Sequence, residues 1–251
     1  MLPPDLRGAL AAALEGVSRK DLARRAEAIS GRYRQGAGSA SVIGSPEDAL
    51  AYAVTRMPAT YAAVATALSE LGRAVPDFVP DTLLDLGAGP GTAAHAAVER
   101  WPAIRRITEI ERNGRFRDLA HRFATASSHP ALTTADRRDT DIATLALGPH
   151  PLPAAADLVI ASYVLVELDP RRVAGLMATL AASPARAIVL VEPGTPAGFE
   201  RLRAARTALL AAGLHAVAPC PGNVACPMAG GDWCHFSVRL PRLRDHRIAK
   251  H

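Results

Sequence analysis

Polar and apolar positions divide the chain into a helical first third and an alternating remainder. Residues 1 to about 73 read as helices. Ser18-Arg19-Lys20-Asp21 is an N-cap with an acidic residue three positions on, and Ser45-Pro46-Glu47-Asp48 is a stronger start, with proline at the first helical position and two carboxylates facing the dipole. Gly36-Ala37-Gly38-Ser39 links the two. The helix from Pro46 runs toward Leu71 and meets Pro58, whose missing N–H and bulky ring kink or break it. Such a kink aims Arg56 and Tyr61 at a ligand, unless the two simply pack against a neighbouring helix. Beyond a hinge at Pro76 to Pro80, apolar runs predict strands at Leu83 to Leu86, Ile107 to Glu111, Ala131 to Asp136 (the weakest), Asp157 to Tyr163, Ala187 to Glu192 and Leu214 to Ala218, with a helix from Gly198 to Ala212. The alternation predicts an α/β fold with a doubly wound sheet.

The chemistry concentrates where the first strand ends. Leu83, Leu84 and Leu86 form a short apolar run suited to a parallel strand covered on both faces, and three glycines then let the backbone turn toward a ligand at a helix N-terminus. A dinucleotide fingerprint requires glycine at position 92; this chain has Thr92, with the third glycine one step early at Gly91. The series Asp85, Gly87, Gly89, Gly91 instead resembles motif I of class I S-adenosylmethionine-dependent methyltransferases, with a structural tight turn as the bland alternative. Glu111, twenty positions after Gly91, stands where this Rossmann-like fold places a carboxylate for the ribose hydroxyls, or else is a solvated strand end. Asp136 is the candidate for the adenine amino group, in competition with Asp139 and Asp141. Ser162, Tyr163 and Glu167 follow the Asp157 strand and are the candidates for lining the methyl site.

Composition narrows the class. A chain of 251 residues with 49% hydrophobic content has ample core material, and no run of eighteen apolar residues occurs. Met1-Leu2-Pro3-Pro4-Asp5 carries no basic n-region, so a cytoplasmic protein without a membrane partner is expected. The net charge of +5 and an isoelectric point near 9.5, carried mostly by arginine, suit an RNA partner or reflect compositional bias. Without an export signal, the three cysteines point to metal or redox chemistry rather than to disulfides.

All three cysteines fall between Cys220 and Cys234, on a loop rich in glycine and proline. Their spacing, Cys220-x5-Cys226-x7-Cys234, matches neither paired zinc ligands nor the tighter radical-enzyme triplet, and unliganded thiols are the bland alternative. Together with Arg56-Met57-Pro58-Ala59-Thr60-Tyr61, the Asp85 to Thr92 loop, Ala161-Ser162-Tyr163-Val164-Leu165 and Val191-Glu192-Pro193-Gly194, this segment resembles the small-ribosomal-subunit methyltransferase-like family, bacterial relatives of a mitochondrial ribosome-assembly factor. The resemblance implies a class I methyltransferase fold, S-adenosylmethionine binding, association with small-subunit ribosomal RNA, and a four-iron four-sulfur (4Fe-4S) cluster with Cys220, Cys226 and Cys234 among its four ligands. Val166 replaces a residue that is often polar in the family. The chain also reads as C-terminally shortened past Arg242 to Lys250, so the fourth ligand is expected to be absent and the cluster incomplete, unless His235 or another chain stands in. The expected organisation is a helical region over 1–75, a methyltransferase domain over 76–219, and a cysteine-rich metal-binding segment with a basic tail over 220–251. The leading function is a methyltransferase acting on small-subunit ribosomal RNA or in subunit assembly. The alternatives are a non-catalytic RNA-binding assembly factor with the same fold, and a small-molecule methyltransferase.

Overall fold

The computed structural model describes residues 1–34, 39–145, 152, 154–220, 222–228 and 231–240. The linker expected at Gly36-Ala37-Gly38 and the basic tail from Arg242 to Lys250 lie outside them. Five strands, β1 (Thr82–Leu86), β2 (Arg106–Ile110), β3 (Asp136–Arg138), β4 (Leu158–Ser162) and β5 (Ala187–Val191), form one parallel sheet in the order β3-β2-β1-β4-β5. Strand order therefore reverses between β1 and β4, and the crevice at their carboxyl ends is where open α/β sheets bind ligands.

Both faces of β1 are covered, which is why its sequence shows no polar alternation. Leu83, Ile107, Leu158 and Ile160 belong to one apolar cluster; Leu84, Leu86, Val159 and Ala161 belong to a second. The second is closed by α9 (Pro170–Ala181) and α10 (Pro196–Ala211), through Val173, Leu176 and Leu180 of the former and Ala205 of the latter.

The N-terminal helices complete the first cluster. They are α1 (Pro4–Ala13), α2 (Arg19–Arg34), α3 (Ser39–Val42), α4 (Pro46–Thr55) and α5 (Met57–Ala74). Leu6, Leu22, Ile29 and Val54 share a core with Leu83 and Phe123, so the boundary expected at residue 75 separates helices from sheet while the packing runs across it. Ser45 and Asp48 form the reciprocal capping box at the start of α4, and Arg25 of α2 reaches both Asp21 (2.6 Å) and Asp48 (2.7 Å), tying the two helices together. The proline interruption is a clean break: Arg56 ends α4 and precedes α5, leaving Pro58 in the first turn, where its missing N–H costs nothing. Tyr61 is buried in the core, so of the two residues expected at the break only Arg56 remains available to a ligand.

Two expected strands are absent. Ala131 to Asp136 is mostly the short helix α8 (Pro130–Thr133): proline starts the turn, and the Thr133 and Thr134 hydroxyls both bond to the Pro130 carbonyl, so β3 begins only at Asp136. Leu214 to Ala218 forms no strand because its backbone is engaged locally. The Ala216 N–H donates to Asn223 Oδ1 (3.2 Å), and the Ala216 carbonyl accepts from the Gly222 N–H (3.2 Å). Among the described residues no helix is long and apolar enough to cross a membrane.

Candidate cofactor-binding site

The glycine loop leaves β1 and enters α6 (Thr92–Arg100) with Gly87, Gly89 and Gly91 all at positive φ (70°, 55° and 77°). Each glycine is required for a different reason. A Cβ on Gly87 would lie 2.6 Å from Val164 Cγ2, and one on Gly91 3.0 Å from Glu109 Oε1, whereas one on Gly89 would meet nothing within 4 Å. Gly87 and Gly91 are therefore packed against protein, and Gly89 alone faces open space.

Glu111, immediately after β2, holds this loop from the side. One carboxylate oxygen accepts the Gly89 N–H (2.9 Å), and the other accepts the Asn113 N–H (2.7 Å). Asn113 caps α7 (Gly114–Thr125) and donates its side-chain amide to the Ile43 carbonyl (3.0 Å), which links the loop after β2 to the N-terminal helices. Burial raises the Glu111 pKa, against the two backbone N–H groups that stabilise its charge. Each carboxylate oxygen retains a further lone pair for a ligand hydroxyl. Beneath the loop, burial pushes Asp85 well above the ordinary carboxylate range, helped by Glu109 and Glu111. Among the described residues neither Asp85 oxygen has a well-aligned hydrogen-bond partner, and the nearby Ala94 N–H only partly offsets the effect of burial. Glu109 is raised by burial against the Arg137 guanidinium, whose Nε stands 2.7 Å from its Oε2.

Ser162 ends β4 and Tyr163 follows at φ 58°, its N–H bonded to the Val191 carbonyl at 2.7 Å. A bulky residue in left-handed backbone is uncommon; here the turn carries Val164 beneath Gly87 and brings Tyr163 to the carboxyl edge. Glu167 lies on the exposed side of the 3-10 turn Leu165–Glu167. Asp136 does not join these groups. It begins β3, two residues before the carboxyl end, and pairs with Arg138 at 2.7 Å, so the register that starts the strand at 136 removes it from the ligand edge. Asp139 and Asp141 follow the carboxyl end of β3, paired with Arg117 and Arg112.

Glu192, at the end of the fifth expected strand and within the segment Val191 to Gly194, has no site role assigned by the sequence. It is buried just after β5, with one oxygen accepting the Leu165 N–H (2.8 Å) and the other unpartnered. Burial raises its pKa to about 7. Because the folded value exceeds the unfolded one, stability tied to the neutral acid is full below about pH 4.5 and is lost as pH rises through about 7. Glu192→Gln is expected to flatten that decline, gaining about 3 kcal/mol relative to the native chain between pH 4.5 and 7.5 in denaturant titrations. Parallel pH profiles of the two proteins would refute this.

Cys220, Cys226 and Cys234 are free thiols, Cys220 exposed and the others half-buried. Among the described residues no three histidine, cysteine, aspartate or glutamate side chains converge as a metal site. As placed, the three cysteines do not fit the ligand set of a cubane cluster. The segment docks instead through Trp233, whose indole N–H donates to the Gly194 carbonyl (3.2 Å), and through His235, stacked on Trp233 at 5.8 Å between centroids.

A parallel sheet in the order β3-β2-β1-β4-β5, with a three-glycine loop after β1 and a carboxylate after β2 gripping that loop, defines the Rossmann-like class I methyltransferase fold. The profile described as mitochondrial small ribosomal subunit Rsm22 matches residues 46–251, and the chain belongs to the Rsm22 family. It is 28% identical over 202 residues to the human mitochondrial ribosome assembly protein METTL17, covering 75% of this chain and 43% of that protein. It is likewise 28% identical over 194 residues to the mitochondrial Rsm22-cox11 tandem protein 2 of Schizosaccharomyces pombe, covering 71% of this chain and 25% of that one. The chain thus spans less than half the length of these relatives. Among solved structures, the methyltransferase domain of bacterial CtHen1 aligns over 57% of this chain and 70% of its own at 12% identity with a TM-score of 0.44. The amino pentose methyltransferase CalS10 of Micromonospora echinaspora aligns over 56% and 53% at 21% identity with a TM-score of 0.39. The fold assignment rests on the strand order.

Proposed function

We propose that this protein binds S-adenosylmethionine in the crevice between the glycine loop and Glu111 and acts on the small ribosomal subunit, as a methyltransferase on its RNA or in its assembly. The observation that carries the cofactor reading is the Glu111 carboxylate clasping the Gly89 N–H at the carboxyl end of the sheet, where a ribose diol finds a charged acceptor beside an open glycine. The ribosomal part rests on family membership and on the net charge of +5. Bound there, S-adenosylmethionine supplies an electrophilic methyl group. This chain's own part is to hold the ribose at Glu111, to keep Asp85 neutral beneath the loop, and to place Ser162 and Tyr163 at the edge facing the acceptor.

A second reading, an assembly factor that binds the cofactor without transferring its methyl, is favoured by one observation. Among the described residues the Tyr163 hydroxyl has no hydrogen-bonded base, and burial raises its pKa, with Glu192 adding to the shift. Calorimetry with S-adenosylmethionine, followed by methyl transfer to small-subunit particles, separates the two. Binding with transfer supports the enzyme, binding without transfer the assembly factor, and no binding defeats the cofactor reading. A cytoplasmic location belongs to the same proposal, for an organism whose small subunit matures there. The iron–sulfur cluster implied by the resemblance requires residues 220–234 to close up. It is tested by iron and sulfide content after anaerobic purification and by their loss in Cys226→Ala; stoichiometric zinc without sulfide would defeat it.

A further inference from the structure

The N-terminal helices bring Arg56 toward the site, and no ion pair among the described residues neutralises it. Arg56, at the break between α4 and α5, is half-buried, and its guanidinium hydrogen-bonds Ser30 Oγ (3.1 Å). Among the described residues it forms no ion pair, although arginines 25, 112, 117 and 137 all pair with carboxylates. Taking a guanidinium partly out of water without a counter-charge is costly unless a ligand provides one.

Its surroundings locate that ligand. Tyr33 of α2 and Tyr52 of α4 lie with ring centroids 6.1 Å apart, and Tyr52 meets Phe116 of α7 edge-on at 4.9 Å. Phe116 is in the first turn of the helix that Asn113 caps, beside Glu111. Arg56 follows Tyr52 by one helical turn and Ser30 precedes Tyr33 by one, so the guanidinium, the two rings and, through Phe116, the start of α7 beside Glu111 lie together. The charges of Arg56, Glu111 and Glu167 reach both tyrosines. Among the described residues none of the hydroxyls of Tyr33, Tyr52 and Tyr163 makes a hydrogen bond, and none is fully enclosed, so each is open to a ligand group. A carboxylate on one side for a diol, and across the tyrosines an unpaired guanidinium for an anion, match a nucleoside that carries an amino-acid tail.

We infer that Arg56 binds the α-carboxylate of the cofactor's methionine moiety, which makes the N-terminal helices part of the cofactor site. This rests on the S-adenosylmethionine reading above. A half-buried position at the break between two helices, held by Ser30, suits a small-molecule carboxylate better than a phosphate of a bulky RNA.

The test is calorimetry on the full chain with two thioethers that differ in the tail. S-Adenosylhomocysteine carries the amino acid; 5′-methylthioadenosine lacks it. Arg56→Met is expected to weaken S-adenosylhomocysteine about 10- to 100-fold, the range for a lost charge-assisted hydrogen bond or two, while 5′-methylthioadenosine changes by less than about 3-fold. On the unaltered chain, decarboxylated S-adenosylhomocysteine is expected to lose the same factor, which keeps the test open if the variant does not fold. Equal losses for both ligands, no loss for either, or a loss confined to ribosomal RNA binding would overturn the assignment. Failure of the unaltered chain to bind either thioether would instead defeat the cofactor reading itself.

Discussion

Gly89→Ala is expected to abolish S-adenosylhomocysteine binding in a protein that still folds. Its φ of 55° is left-handed, so an alanine there costs about 1–2 kcal/mol. In a chain of this size that lowers the melting temperature by roughly 2–8 °C. The new methyl meets no protein atom, so the fold has no further reason to fail; it projects into the space left for the ligand. Gly87→Ala is the contrasting variant. Its Cβ would stand 2.6 Å from Val164 Cγ2, beneath a buried turn, and the loss there should appear in stability first. Calorimetry alongside thermal melts reads both effects. Full affinity in Gly89→Ala would show that the ligand does not approach this loop.

Glu111→Ala is expected to reduce the same affinity by about 100-fold or more, from the loss of charge-assisted hydrogen bonds worth roughly 1.5–3 kcal/mol each. The effect has two parts. The ligand diol loses its acceptor, and the Gly89 and Asn113 N–H groups lose theirs, so the loop and the first turn of α7 are freed as well. Glu111→Gln distinguishes these parts, because its amide oxygen still serves one backbone N–H while the charge is gone. An intermediate affinity and near-native protection of the Gly89 amide from hydrogen exchange are expected for the glutamine variant. If Glu111→Ala binds as tightly as the native chain, the cofactor lies elsewhere.

The candidate site was legible where its chemistry is written contiguously. Asp85 through Gly91 is one run on one turn, and its spacing alone separated it from a dinucleotide loop. Glu111 was placed beside that loop because the length of one βα unit fixes how far the second strand's end lies from the first loop. Asp136 was misplaced for the same kind of reason. A register read two residues off moves a side chain along the strand and away from the ligand edge, and Pro130 had already converted the preceding residues to a helical turn. At the expected sixth strand Asn223 and Gly222, residues beyond it, engage the Ala216 N–H and carbonyl instead of a neighbouring strand.

By itself the sequence determined the α/β class, the break at Arg56, the glycine cradle and the family, because each depends on local backbone preference or on residues adjacent in the chain. Only the tertiary structure decided what faces the cradle. Tyr33 and Tyr52 have no motif, the segment that contains Glu192 does not foretell its burial, and Arg56, singled out by the break, is left by folding half-buried and without an ion pair among the described residues. The reason is physical: hydrogen-bond propensity and apolar periodicity act over a few residues. The burial that shifts a carboxylate or isolates a guanidinium comes from other elements, as Ser30 lies 26 positions from Arg56 and Leu165 27 from Glu192, and is fixed only when they pack.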